Sequence, residues 1–197
     1  MKRIFILTLF LIFSLANFNI AYSISPDVFI QSTVNRASQV LSENVSKEEK
    51  IKKLKMIAKE TVDIRGVGFY SLGSARKNLN NEQKITYSNL FESYFLKSFS
   101  SRLAEYTNPK IEVMSKEMLS KNYTIVNSIL VSTAERPEVK IDWRVYTKDP
   151  NNPLIRDLII EGLSLARTQK EEFSSILNSN DGNINALFKI LENFSKN

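Results

Sequence analysis

The hydrophobic repeat of this chain changes at Asn108-Pro109, and that change restricts the fold more than any other feature. Before it, apolar residues recur every three or four positions, as on a helix with one buried face; after it, as far as about residue 163, they alternate with polar ones, as on a strand, before the helical spacing returns. Ser25-Pro26-Asp27 offers an N-cap, a proline at the first helical position and an early acid, and predicts a helix to about residue 44 with Val28, Ala37, Val40 and Leu41 inward. Ser46 and Glu49 form a capping box for a second helix, striped by Ile51, Leu54, Ile57, Ala58 and Val62. Gly66, Gly68 and Gly73 predict a turn. Asn80 with Gln83 opens the longest helix, which carries Tyr87, Leu90, Phe91, Tyr94, Phe95, Phe99, Leu103 and Tyr106 at helical spacing.

Beyond Pro109, runs near 110–119, 122–133, 138–147 and 154–163 predict four strands. Val139, Ile141, Trp143 and Val145 alternate with Lys140, Asp142, Arg144 and Tyr146, the pattern of an antiparallel strand with one buried face. The connector Lys148-Asp149-Pro150-Asn151-Asn152-Pro153 turns the chain into the last strand, so those two strands form a hairpin. A helix near 165–178 and another carrying Ile184, Leu187, Phe188, Leu191 and Phe194 close the chain. Helices, a short meander and helices again make one α+β domain.

The first residues are of another kind. Lys2 and Arg3 precede an apolar run from Ile4 to Ala16, which at ~1.5 Å rise per residue covers roughly 20 Å, short of a ~30 Å hydrocarbon core. Ala21 and Ser23 fit the −3 and −1 positions of a cleavage site before Ile24. Residues 1–23 are therefore expected to be a secretory signal peptide and 24–197 the mature, exported domain.

The chain contains no Cys and no His. Disulfides, thiolate-ligated metals, cysteine nucleophiles, Ser-His-Asp triads and imidazole proton shuttles are thereby excluded. Lys and Arg number 27 against 21 Asp and Glu, a net charge of +6, but the cations are interspersed with acids along helix faces, as in Lys47-Glu48-Glu49-Lys50. A solvated helix face, not a nucleic-acid groove, is the expectation. Gly66-Val67-Gly68 lacks the third glycine of a dinucleotide fingerprint, and no GxxxxGK[ST] occurs. Asp157 and Glu161 are the best carboxylate pair, yet four residues along one strand set them ~13 Å apart, outside the ~5–9.5 Å of glycosidase carboxyls. No catalytic residue, metal ligand or cofactor is expected. The aromatic stripe reads either as core or as the lining of a cavity, because rings recur on more than one side of the helix and the sheet offers a second apolar face.

Asp157-Leu158-Ile159-Ile160-Glu161-Gly162-Leu163-Ser164, followed by Lys170-Glu171-Glu172-Phe173, resembles the D-x-x-x-E-G-x-S signature and the downstream basic-x-E-aromatic of the periplasmic phospholipid-binding MlaC proteins, the toluene-tolerance family. Leu72-Gly73, Asn80-Asn81-Glu82-Gln83-Lys84, Leu103-Ala104-Glu105-Tyr106, Ile141-Asp142-Trp143 and the closing stretch from Gly182 to Leu191 extend the resemblance over the mature chain. Two positions depart from the family pattern: Arg76 stands where a Trp is common, and Pro153-Leu154 where an aromatic-basic pair usually precedes the aspartate.

The resemblance implies an NTF2-like cone, helices on a curved four-stranded antiparallel sheet enclosing an apolar pocket for acyl chains. It implies a monomeric periplasmic carrier that is not an enzyme. Such a carrier exchanges phospholipid between an outer-membrane lipoprotein–porin complex and an inner-membrane ABC transporter bearing a ring of lipid-binding domains, and so maintains outer-membrane lipid asymmetry. The expected lining residues are Leu90, Tyr94, Phe95, Phe99 and Leu103 from the long helix and Ile141, Trp143, Val145, Leu158 and Ile160 from the sheet. Leu158 and Ile160 are chosen over Ile159 because Asp157 and Glu161 are expected on the latter's side. Leu72, Gly73, Asp157, Glu161, Gly162 and Ser164 are expected to be structural, the last four ordering the passage from strand to helix. The rival reading is an exported NTF2-like enzyme or small-ligand binder.

Overall fold

A computed structural model describes residues 23–196. The expected signal segment therefore lies, apart from Ser23, outside the described residues. The elements run α1 (Pro26–Ser42), α2 (Lys47–Thr61), α3 (Ile64–Ser71), α4 (Asn81–Leu103), β1 (Ile111–Ser120), β2 (Tyr123–Leu130), β3 (Val139–Tyr146), β4 (Leu154–Ile160), β5 (Leu163–Ser164), α5 (Leu165–Asn178) and α6 (Ile184–Lys196), with a 3-10 turn at Gly73–Lys77.

Local chemistry sets most helix starts. The Ser46 hydroxyl accepts from the Glu49 amide, and Asn80 and Gln83 exchange hydrogen bonds of 2.8 and 3.0 Å in a reciprocal cap. Ser25 differs from expectation: its hydroxyl donates to the Asp27 carboxylate at 2.5 Å, so it does not cap α1 through its side chain. Gly66 and Gly68, expected in a turn, lie inside α3. Asp63 caps that helix by accepting from the Gly66 amide at 2.8 Å, and a Cβ on Gly68 would come within 2.7 Å of the Phe91 ring. Gly68 thus lets α3 and α4 approach closely, a use of glycine that its turn-forming habit conceals. α4 ends at Leu103, so Tyr106 lies beyond it.

The strands form an open antiparallel meander in the order β1-β2-β3-β4-β5. The expected four strands become five: Glu161 and Gly162, both at positive φ, reverse the chain, and Leu163 and Ser164 pair back onto Ile160 and Ile159. Beside β3, Val145 faces Ile155 while Arg144 faces Asp157, so Arg156 is the extra residue of a β-bulge. α1 runs along the β1 edge. There the Gln31 side-chain amide donates to the Ile111 carbonyl and accepts from the Val113 amide, the bonds a neighbouring strand would otherwise make.

The interior is divided. One cluster joins α2 to α6 around Tyr87, Phe91, Phe173, Leu187 and Leu191; a second joins α1 to the sheet around Ile30, Val126, Trp143 and Val145; a small third holds α1 to α2 through Val40, Leu41, Leu54 and Ile57. Val62, between α2 and α3, bridges to Ile155 and packs against both large clusters. Among the described residues no helix is long and apolar enough to cross a membrane.

Candidate functional site

The register of the sheet decides which side chains share a surface. Ile141, Trp143 and Val145 face Ser128, Val126 and Thr124 on β2, and Ile160, Leu158 and Ile155 on β4, so all of these point to one side. Ile159 faces Asp142 on the other. Two polar side chains of the first side are satisfied internally: the Trp143 indole donates to the Ser128 hydroxyl at 2.8 Å, which donates to the Ile141 carbonyl at 2.9 Å. Apart from the Thr124 hydroxyl, what remains is hydrocarbon. Ile30 and Val34 of α1 pack against its centre, and Val139, Leu158 and Ile160 form a partly buried rim.

The expected lining residues of α4 lie elsewhere. Leu90, Tyr94, Phe95 and Phe99 pack into the helical cluster, whereas Leu103 joins the small cluster between α1 and α2. Tyr87 donates to the Gly68 carbonyl at 2.8 Å and Tyr94 to the Gln169 amide oxygen at 2.9 Å. Burial pushes the Tyr87 phenol well above its usual range, and burial with the nearby Glu172 carboxylate raises that of Tyr94. Both stay neutral donors. Phe95 and Phe99 stack with centroids 5.4 Å apart and rings within 10° of parallel, partly buried. The structure thus places the helix half and the sheet half of the expected lining in different clusters, with Val62 as their common neighbour.

The signature residues meet where strand passes into helix. The Asp157 carboxylate, 5 % exposed, accepts from the Ser164 hydroxyl at 2.6 Å, the Ala166 amide at 3.0 Å and the Arg144 guanidinium at 3.4 Å. Ser164 in turn caps α5 by accepting from the Arg167 amide at 3.1 Å. Glu161 does not stand on the strand beside Asp157; it lies in the following turn, where its carboxylate accepts from the Lys140 amide at 2.5 Å. Each carboxylate is committed to holding the backbone, and the two do not face one another across a reaction centre.

Leu72 is buried in the helical cluster, while Gly73 has φ +57° and a Cβ there would come within 3.0 Å of the Lys170 stem. These two separate pieces of the sequence pattern are therefore in contact.

Sequence reasoning missed Arg156. Its guanidinium donates to Asp63 at 2.7 Å and to the Tyr123 hydroxyl at 2.6 Å, and lies 3.6 Å from the centre of the Tyr146 ring. Asp63 also caps α3, so this cluster ties the helical layer to the sheet. The available signal was a cation between Ile155 and Asp157 in an apolar strand, but the bulge that turns it was not visible. Val62 carried no signal beyond its place in a helical stripe.

Among the described residues, an open groove of about 690 Å³ lies beside α5 and another of about 440 Å³ along α1, and neither includes any expected lining residue. Among the described residues, no group of three acids gathers to hold a metal ion.

The family pattern of MlaC proteins matches residues 31–193, from the middle of α1 into α6. The chain belongs to the MlaC family. The match takes in every element that carries a signature residue. Among solved structures, the phospholipid-binding protein from Ralstonia solanacearum, determined in complex with a phospholipid at 1.53 Å, is similar with a TM-score of 0.74 at 17% identity. The similarity covers 88% of this chain and 98% of that one. At that identity the likeness establishes a shared fold. No curated protein matches this chain.

Proposed function

We propose that this MlaC-family chain is an exported, non-enzymatic phospholipid carrier with the acyl chains lying against the apolar side of β2, β3 and β4. The observation that carries the reading is that surface itself: Ile141, Trp143, Val145, Leu158 and Ile160 share one side, on which the Trp143 indole and the Ser128 hydroxyl are satisfied internally. The phospholipid held by the Ralstonia protein of the same fold supports it. Residues 1–23 direct export to the periplasm and 24–197 form the carrying domain. Phe95, Phe99 and Leu103 supply the opposing wall when the helical layer parts from the sheet and the interior takes the form of a cone with an apolar pocket; Leu90 and Tyr94 back that wall.

Moving two acyl chains into water costs about 25 kcal/mol, taking ~0.8 kcal/mol per methylene over roughly 32 groups, so unaided crossing between membranes is negligible. A hydrocarbon wall replaces one apolar medium with another. Exchange then becomes nearly isoenergetic, and small differences in partner affinity set its direction. Discrimination between chains is weak, because one methylene is worth only ~1–3 kcal/mol. The carrier works between an outer-membrane lipoprotein–porin complex and an inner-membrane ABC transporter, and its exchange maintains lipid asymmetry.

The test is solvent extraction of the purified protein followed by mass spectrometry. Close to one diacyl phospholipid per chain is expected. A protein that stays free of lipid even after incubation with phospholipid vesicles excludes the carrier and returns the reading to an exported enzyme or small-ligand binder.

A further inference from the structure

The Leu72-Gly73 and Lys170–Phe173 motifs lie outside the sheet surface proposed for acyl chains, yet they meet. Gly73 leaves room for the Lys170 stem, and the Lys170 ammonium sits 5.5 Å from the centre of the exposed Tyr70 ring. One helical turn earlier on the same side of α5, Arg167 lines the same open groove with Tyr70, Glu171, Ser175 and Asn178. Among the described residues neither Arg167 nor Lys170 forms an ion pair, nor do Arg76 and Lys77 in the exposed 3-10 turn that follows Gly73.

We propose that this groove between α3 and α5 is a docking site for an acidic peptide segment of a partner protein. Arg167 and Lys170 outnumber Glu171 along the lining, and Arg76 and Lys77 extend the positive surface from the adjoining turn. The groove is open and its lining follows α5 from Arg167 to Ser179, about 18 Å at ~1.5 Å per residue, which suits an extended chain rather than a single ion. Packing of the Lys170 stem over Gly73 orders that side chain beforehand and lowers the entropy lost when its ammonium meets a carboxylate. The Ser175 hydroxyl and Asn178 amide provide uncharged partners for a peptide backbone, and Tyr70 gives it a flat contact. The site lies on helices away from the apolar sheet surface and stands whether or not the chain carries lipid.

Fluorescence anisotropy with a labelled oligoglutamate peptide tests the proposal on the mature protein. Binding is expected at low ionic strength and should fall steeply as salt is raised. The double variant Arg167→Gln/Lys170→Gln, which keeps polar side chains of similar reach and a folded helix, should lose affinity about tenfold or more. Lys52→Glu/Lys121→Glu, which alters the net charge even more but leaves the groove intact, should bind within about twofold of the unaltered protein. Absence of peptide binding, or equal losses in the two double variants, overturns the proposal. So does binding of phosphatidylglycerol vesicles through Arg167 and Lys170 with no binding of the peptide, which would make the groove a membrane contact. Lipid content measured on the same samples reports separately on the carrier reading.

Discussion

The helical cluster and the sheet cluster solve the same problem of burial in opposite ways. Among the helices, rings contact rings: Phe91 meets Phe173 edge-on with centroids 6.1 Å apart, Tyr87 lies 5.7 Å from Phe91, and the buried phenol is anchored to the Gly68 carbonyl. Aromatic packing of this kind fixes positions through shape and through the ring quadrupole. On the sheet the surface is mainly aliphatic with one indole, and its rim at Val139, Leu158 and Ile160 is only partly covered. Branched aliphatic chains impose less orientation on what they touch. The helical side is fixed by ring-on-ring shape, whereas the sheet side presents an aliphatic surface that sets little orientation on what packs against it.

The largest effect should come from the helical cluster. Phe91→Ala removes a ring that is 2 % exposed and contacts Tyr87, Tyr94, Phe95 and Phe173, and should cost about 3–5 kcal/mol of unfolding free energy in urea titration. A cost below ~1 kcal/mol would mean that the cluster is loosely packed, and the contrast between the two regions would disappear. Asp157→Ala ranks next. It strands the Ser164 hydroxyl, the Ala166 amide and the Arg144 guanidinium at the base of α5, an expected loss of about 3 kcal/mol. Asp157→Asn retains one acceptor and should recover part of that loss. Lipid content per folded chain should be the same in both variants if the residue only orders the backbone.

Leu158→Ala sharpens the comparison from the other side. The side chain is partly buried at the rim, so truncation should cost only about 1 kcal/mol of stability, less than a fully buried leucine. On the proposed reading, copurified phospholipid should nevertheless fall severalfold, because the lost methyl groups belong to the surface proposed for acyl chains. Ile159→Ala, on the other side of the same strand, should leave lipid content unchanged. Equal loss of lipid in the two variants would place the ligand off this face.

Much of this division follows from features visible in the sequence, and part of it does not. The change of period at Pro109 separates helices from strands because periodicity reports which face of an element is dry, and α5 begins and ends where the pattern predicts. The shared side of Leu158 and Ile160 was legible from alternation, although Glu161, used as a guide, lies in the turn rather than on the strand. Gly66 and Gly68 misled because a glycine reads the same whether it serves a turn or a close helix contact. The separation of the α4 rings from Trp143 was not legible: a stripe shows that a face is buried and says nothing of which partner buries it. The β-bulge at Arg156 and the short β5 depend on pairing with other strands, for which local sequence holds no code.

The smallest effect belongs to an ion pair that fastens the start of α1 to the sheet edge. The Lys116 ammonium, 2.8 Å from Asp27, is the main cause of that carboxyl's low pKa, and the Ser25 hydroxyl adds to it; together they draw it from 3.8 to about 2. A depressed carboxylate pKa contributes stability that is fully present above the unfolded value and is lost as pH falls through the folded one. The Asp27 contribution should therefore hold above about pH 4 and disappear between there and about pH 2. The pair is largely exposed, so solvent screening keeps its worth to about 0.5 kcal/mol, and salt should reduce it further. Following the carboxyl by NMR in Lys116→Met should show its pKa rising back toward 3.8 with lipid content unaltered. If lipid content fell as well, α1 would be acting as a movable cover over Trp143 and Val126, and the sheet cluster would owe its accessibility to the helix that packs on it rather than to its own rim.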